Sequence, residues 1–443
     1  MMLEELRGYR LSPAGESDST FGQSGTVRLQ FPGCLSSQAH DVLACADGKV
    51  LVALKLGFAD GCCFGLARLH DDGAPDESFG DGGYVSGRFE VGAEATASGV
   101  QLLADGRILL FGLHYLDDEH SLPAVARFDA AGRLDPTFGD QGVKVLRLPG
   151  GLAEGPRDGW LPPGLPGVEA CAGTLQADGK ILLVANHTYT FADYVGLLIR
   201  LEPDGTLDPS FNGRGFVVVR RLLVNSWLSC VRVQADGKIL VGGSVDFPQL
   251  GLMARYEADG RLDHGFGDRG LLSFGFAGAS SLVTKLAAGR DGRLLCVGNR
   301  FNPLRGVLQG FTAQGAVDRG FNDADTVQLD IDTPASRWAD LAVQTDGSIL
   351  VAGSTVMGFG SDFVLARYLA DGQPDRDFAG GRGWVRTSLG RSLDTVTALA
   401  LQDDGRILVA GHSLFGSFSA VVVRFRGDLP FASGPASRPA SRL

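Results

Sequence analysis

The pair Asp-Gly, followed by Lys, Arg or Ser and then by an apolar run, recurs seven times along the chain: Asp47-Gly48, Asp105-Gly106, Asp178-Gly179, Asp236-Gly237, Asp291-Gly292, Asp346-Gly347 and Asp404-Gly405. Each pair is flanked by short apolar stretches, as in Val396-Thr-Ala-Leu-Ala-Leu-Gln-Asp-Asp-Gly-Arg-Ile-Leu-Val-Ala-Gly411. This is the pattern of strand, tight turn and strand, and Asp-Gly suits a two-residue type I′ hairpin, which needs positive φ. Successive pairs are 58, 73, 58, 55, 55 and 58 residues apart. A period of that size marks one supersecondary unit used repeatedly, so the 443 residues read as one repeat architecture rather than as two or three unrelated domains.

A second anchor follows each of the first six hairpins and also precedes the first one. Gly stands six residues, and Asp three residues, before a Phe: Gly15/Asp18/Phe21, Gly73/Asp76/Phe79, Gly132/Asp135/Phe138, Gly205/Asp208/Phe211, Gly260/Asp263/Phe266, Gly315/Asp318/Phe321 and Gly372/Asp375/Phe378. The Gly turns the chain, the Asp can cap backbone N–H groups, and the Phe can fill space between units. A third strand leads into each corner and ends in Arg eleven residues before the Phe, at Arg10, Arg68, Arg127, Arg200, Arg255 and Arg367, with Gly310 the departure. A fourth strand leaves the corner, as in Gly215-Phe-Val-Val-Val-Arg220.

The unit is therefore a four-stranded antiparallel meander. One meander alone exposes an apolar face, and seven stacked around an axis hide it, so the expected fold is all-β, a seven-bladed β-propeller. The last copy ends at Val421-Val-Val-Arg424 without a corner, while the first corner precedes any hairpin. The N-terminal strand around Gly25 to Gln30 is thus expected to complete the last blade and close the ring. Because Arg10 and Arg424 both carry the third-strand pattern, the stretch from Leu6 to Leu11 is expected to lie at the periphery. One propeller domain over residues 1–430 follows, with an inserted surface loop at about 148–168 and a disordered, low-complexity tail at 431–443.

The net charge of −11 argues against nucleic acid or an anionic membrane as partner, and fourteen of the acidic residues are simply the repeated turn and corner aspartates. No apolar run is long enough to span a membrane, and Met1 to Arg7 lacks the pattern of a secretory leader, so a cytoplasmic location is expected. Seven cysteines (34, 45, 62, 63, 171, 230 and 296) without metal-type spacing are expected to be buried, reduced thiols; a vicinal Cys62–Cys63 disulfide is the lesser alternative.

The segments Asp236-Gly-Lys-Ile-Leu-Val-Gly-Gly243, Ala254-Arg-Tyr-Glu-Ala-Asp-Gly-Arg-Leu-Asp263 and Phe266-Gly-Asp-Arg-Gly270 resemble the delta-60 repeat family, bacterial propeller repeats of unknown function. The likeness runs from about residue 8 to 426 and is weakest in the fifth copy, where Gln309-Gly310 and Asn322-Asp323 break the pattern. It implies the propeller fold and brings no catalytic residues with it.

The meander order sends the hairpin turns and corners to one side and the two remaining loop sets to the other. The repeated side serves architecture, so the variable side is where binding is expected. Its candidate residues are His114, Tyr115, Asp117, Asp118 and His120 in the second copy, Trp160 in the insert, His187, Tyr189 and Tyr194 in the third, and Trp227 and Trp338 near the starts of two first strands. His with Asp can bind a metal or exchange protons, but the spacing in 114–120 fits no known site, so a solvated loop tip is the reading it favours. The aromatics can stack on a sugar, anchor a partner protein or pack between blades.

No nucleophile elbow, zinc-protease, phosphate-loop or dinucleotide motif is present, and neither a cofactor nor a metal is expected. The expected function is non-enzymatic binding or scaffolding by a monomer, through variable loops, with protein or carbohydrate as partner. The alternative is a propeller that binds or hydrolyses carbohydrate in its axial funnel, which requires carboxylates from different blades to converge there.

Overall fold

A computed structural model describes residues 14–116, 121–148, 171–190, 193–220, 224–246, 249–289, 291–329, 331, 333, 335–357 and 360–428. The expectations for Leu6 to Leu11, for the bulk of the insert and for the tail fall outside these residues.

The described chain is all-β, with helix confined to three 3₁₀ turns of three residues each. After β1 (Thr26–Leu29) come β2 to β5 (Ser36–Ala44, Val50–Phe58, Gly61–Leu69, Tyr84–Gly87) and β6 to β9 (Ala95–Leu102, Ile108–Tyr115, Ser121–Phe128, Val143–Val145). Next are β10 to β13 (Ala172–Leu175, Ile181–Thr190, Asp193–Leu201, Phe216–Val219) and β14 to β17 (Ser226–Val233, Ile239–Val245, Leu250–Tyr256, Leu271–Phe274). They are followed by β18 to β21 (Ser281–Ala288, Leu294–Arg300, Arg305–Phe311, Val327–Gln328), β22 to β25 (Ala335–Val343, Ile349–Met357, Gly360–Tyr368, Trp384–Thr387) and β26 to β28 (Leu393–Leu401, Ile407–Phe415, Ser417–Phe425).

Five of these groups are separate four-stranded antiparallel sheets, and the remaining eight strands form one larger sheet. The larger sheet consists of two meanders, β22 to β25 and β26 to β28 with β1, linked by the single parallel pair Ser361↔Leu393. β1 runs antiparallel to β28, with Thr26 opposite Val423 and Leu29 opposite Ala420.

Each core cluster lies between two successive meanders. Leu182 and Val184 of β11 meet Ile239 and Val241 of β15, and Val50 and Val52 of β3 meet Leu408 and Ala410 of β27. The sheets therefore bury both faces, which is why their second strands read as continuous apolar runs rather than as alternations. First strands also pack consecutively, β2 on β6, β6 on β10 and so on to β22 on β26, and β26 packs on β2.

The hairpin turns differ from the two-residue expectation. Cys45 N–H donates to Lys49 O at 2.8 Å and Gly48 N–H to Cys45 O at 2.9 Å, so three residues, Ala46 to Gly48, form the loop. Gly48 has φ +83°, whereas Asp47 is not among the residues with positive φ. This is a type I turn followed by a left-handed glycine, in which the Asp47 carboxylate accepts the N–H of Lys49 at 3.2 Å. The same pattern recurs at Gly106, Gly179, Gly237 and Gly405.

Every corner carries the same latch. The aspartate's Oδ1 accepts the N–H two residues on, as in Ser78 to Asp76 at 3.1 Å, and its Oδ2 accepts an arginine Nε, as in Arg68 to Asp76 at 2.6 Å. The arginine stacks over the corner Phe, with Arg68 4.4 Å from the Phe79 centroid, and donates to a carbonyl of the following corner, Ala130 O, at 2.5 Å, except that Arg367 donates instead to the carboxylate of Asp428. The Phe79 ring in turn lies against Gly132, where a Cβ would come within 2.9 Å of it. At Gly310, where the arginine is missing, Arg293 from the preceding hairpin takes its place. It donates to Asp318 at 2.5 Å and to Ala370 O at 2.6 Å, and lies 5.3 Å from the Phe321 centroid.

The last latch is assembled from both chain ends. Arg424 stacks on Phe21 and donates to Asp18, while Gly15 N–H donates to Arg426 O and Arg426 N–H to Glu16 O, both at 2.8 Å. These bonds match those made within one corner by Gly372 N–H to Leu369 O and Leu369 N–H to Gln373 O.

The cysteines are thiols, but only Cys171, Cys230 and Cys296 are buried; Cys34, Cys45, Cys62 and Cys63 are half-buried. The first three lie in the packing between sheets, whereas Cys62 and Cys63 sit at the start of β4, near the loop side, where burial is incomplete.

Candidate functional site

The loop side is where second strands pass to third strands and fourth strands pass to the next sheet. On it, His114, next to last in β7, has its side chain 2% exposed and its Nε2 3.3 Å from Glu90 Oε2. Arg147 grips the same Glu90 through two bonds of 2.7 and 2.8 Å. Burial pushes the His114 pKa down, against the pull of Glu90. Tyr115 is half-buried beside it, with its N–H donated to Glu94 O at 2.9 Å.

His187 of β11 is buried, and burial lowers its pKa. Tyr194 of β12 packs edge-on against Trp227 of β14 at 5.8 Å between centroids. Trp227 is itself buried, and Trp338, 1% exposed, fills the space over Gly306 and Gly353. Neither indole presents a face on which a sugar could stack. Asp117, Asp118, His120 and Trp160 lie outside the described residues, and Tyr189 is described only as a residue of β11. Among the described candidates, Tyr194 and Trp227 are in ring contact, and His187 shares their neighbourhood through the sheet of Tyr194, whereas His114 and Trp338 lie in two other sheets.

Three ionisable residues that sequence reasoning passed over face one another from different first strands. Asp41 on β2, Lys285 on β18 and Asp340 on β22 each occupy the position six residues before an Asp-Gly pair, just after a bulge in the strand. Other copies carry Gly99, Ala172, Cys230 and Ala398 there. Lys285 Nζ lies 3.5 Å from Asp340 Oδ2, and both Lys285 and Asp340 act on the charge of Asp41. The Lys285 side chain remains 43% accessible, so the space it enters admits water. Aligning the copies on Asp-Gly would have revealed the position, since charge is out of place on a strand otherwise lined by small residues.

The two carboxylates are already engaged. Asp41 accepts the N–H groups of Val42 and Val100 at 3.0 and 2.9 Å, and Asp340 those of Leu341 and Leu399 at 2.8 and 3.0 Å. Each thus ties its own strand to the first strand of the next meander, β6 or β26. Second strands make parallel ties: Asn186 exchanges two hydrogen bonds with the Leu228 backbone, and Asn299 exchanges two with Trp338. Among the described residues no three His, Cys, Asp or Glu side chains are placed to hold a metal ion.

The profile of a β-propeller family of unknown function, DUF5122, matches residues 176–211, 234–266 and 344–378. Each stretch runs from an Asp-Gly turn to the corner Phe, so this chain carries β-propeller repeats. No curated protein matches it. Among solved structures, YCF48 bound to a D1 peptide is 12% identical over 94% of this chain and all of its own, with a TM-score of 0.45. A protein of unknown function from Dyadobacter fermentans is 11% identical over 90% of this chain and all of its own, at 0.43. A PL25 ulvan lyase is 13% identical over 90% of this chain and 96% of its own, at 0.45. Likenesses this distant carry no weight for function. No helix of the described residues is long and apolar enough to cross a membrane.

Proposed function

We propose that the chain is a closed seven-bladed propeller, with the delta-60 type of repeat, that binds a protein partner through its loop side and performs no catalysis. Seven meanders, seven latches and a cyclic succession of Phe rings on glycines, from Phe21 on Gly73 to Phe378 on Gly15, support the ring. One domain of residues 1–430 and a monomer in the cytoplasm complete this reading.

The distribution of exposed apolar side chains carries the binding side. Of the eight large exposed ones among the described residues, Leu35, Val91, Leu116, Leu393 and Phe415 stand on the loop side, and all five belong to the last, first and second meanders. Exposed apolar residues grouped in one sector mark an interaction surface. The repeated charges of the other side are consumed by latches. Protein fits better than carbohydrate, because Trp227 and Trp338 offer no stacking face and the carboxylates of Asp41 and Asp340 are each bonded to two N–H groups.

Full-length protein with Leu116→Asp and Phe415→Asp, used as bait beside the unaltered chain and a corner-side Leu369→Asp control, tests this. Loss of the captured protein in the loop-side variant alone supports the reading. Equal capture by all three removes it.

A further inference from the structure

Charge is spread unevenly over the loop side. Arg300 closes β19 and Arg305 opens β20, directly opposite each other at the end of the fifth meander. Arg337 is the third residue of β22 and Arg386 the third of β25, both in the sixth. Arg391 precedes β26 and Arg28 stands third in β1, both in the last. The three meanders adjoin one another there: Gly306 N–H donates to Ser336 Oγ at 3.2 Å, and Ser361 pairs with Leu393. Against these six arginines, the described loop ends of the same meanders hold two carboxylates, Asp362 and Asp394. Asp362 lies 3.5 Å from Arg386; Asp394 is buried and accepts Ser392 Oγ at 2.6 Å and Leu389 N–H at 3.0 Å. Asp330 and Asp332 fall outside the described residues, and counting them still leaves six arginines to four acids.

Arg28, Arg300, Arg337 and Arg391 make no ion pair among the described residues. On the loop ends of the first two meanders the charges are matched instead, with Arg88 3.0 Å from Asp60 and Arg147 2.7 Å from Glu90. The chain as a whole carries −11, so this arc of unmatched cations runs against its own bulk charge. Such an arc attracts an external anion that spans it. Exposed Leu393 and Phe415 stand within the same arc.

On the basis of the loop-side reading, we propose that the protein partner presents an acidic segment with apolar side chains. Its carboxylates lie on the arginines of the fifth, sixth and last meanders, where a planar guanidinium can hold each by two parallel hydrogen bonds. Its apolar groups meet Leu393 and Phe415. A nucleic acid suits the surface less well. Asp60, Glu90 and Glu94 on the adjoining loop ends repel a polyanion long enough to leave the arc, and a leucine set between arginines favours a peptide side chain.

The test measures fluorescence anisotropy of a labelled peptide of Glu and Phe residues with the full chain, beside the same peptide with Gln in place of Glu. The Glu peptide should bind about tenfold more tightly, and its advantage should shrink as salt rises from about 0.05 M to about 0.5 M. Arg337→Glu combined with Arg391→Glu should abolish that advantage. The corner-side control, Arg319→Glu combined with Arg376→Glu at two other exposed arginines, should keep it. Equal binding of the two peptides, or equal loss in both double variants, overturns the proposal. So does an oligothymidylate that binds the unaltered chain as tightly as the Glu peptide and is lost in the Arg337 and Arg391 variant. Failure here is distinct from failure of the capture experiment: capture that depends on Leu116 and Phe415, together with indifference to peptide charge, leaves a loop-side partner and removes only its acidic character.

Discussion

Arg424, on the last strand, donates through Nε to Asp18 at 2.8 Å across 406 positions of sequence. The pair is buried, with side chains 1% and 6% exposed, and it makes the same contacts that Arg68 makes with Asp76 eight residues away. One latch thus joins two chain ends where six others staple neighbouring stretches.

Breaking that latch should cost as much as breaking an interior one. Removing one member of a buried, hydrogen-bonded ion pair costs about 3–5 kcal/mol. Arg424→Leu and Arg367→Leu, whose Asp375 has no other cation among the described residues, are both expected to lower the unfolding free energy in denaturant by amounts in that range. An Arg424→Leu loss below about 1 kcal/mol would show the terminal latch to be idle.

Arg293 should matter more than its counterpart in the second copy. Arg107 occupies the same place after Asp-Gly and reaches Asp135 at 3.1 Å, but there Arg127 already serves the aspartate. In the fifth copy Arg293 works alone. Arg293→Ala is expected to destabilise the chain by about 1 kcal/mol more than Arg107→Ala, the difference between a half-buried carboxylate left unpaired and one that keeps a partner. Equal melting temperatures for the two variants would contradict the replacement.

The latches also set the acid limit of the fold. Burial alone would raise the pKa of Asp208, but bonds from Lys180, Ser210 and Arg200 outweigh it and hold the carboxyl well below its usual range; the corresponding influences bring Asp263 to about 2. A depressed folded value contributes stability that is full above about pH 4 and is lost as the pH falls through the folded value. The melting temperature of the unaltered chain should therefore exceed that of Asp208→Asn by a constant margin from pH 7 to pH 5, and the two should converge toward pH 2. A margin that widened in acid would reverse the sign of this effect.

Trp338 belongs to the core rather than to a binding rim. Trp338→Ala is expected to cost about 3–5 kcal/mol, the usual consequence of deleting a buried aromatic, and should lower thermal stability severely. Trp338→Phe should fold and leave partner capture unchanged. Selective loss of binding in the Phe variant, with stability retained, would argue for a ligand contact.

Repetition decided what could be read from the sequence. The corner residues Gly73, Asp76 and Phe79 recur with fixed offsets, so their roles in turning, capping and filling were legible before any coordinates. The hairpin was legible as a hairpin, but not its loop length: Asp-Gly suits both a two-residue turn and a three-residue turn ending in a left-handed glycine, and only the pairing of Cys45 with Lys49 distinguishes them. Asp41, Lys285 and Asp340 were illegible for the opposite reason. Each stands once at a position that varies among copies, and their meeting depends on how separate sheets face one another. The replacement at Arg293 had a visible cause, the gap at Gly310, but arginine after Asp-Gly also occurs at Arg107 and Arg406, so nothing set this one apart.

Because Gly15 and Arg426 are hydrogen-bonded neighbours in one corner, both ends of the described chain leave from the side opposite the variable loops. A label or surface linker placed at Ala14 or Asp428 would therefore sit away from Val91 and Phe415, leaving the variable loops turned outward.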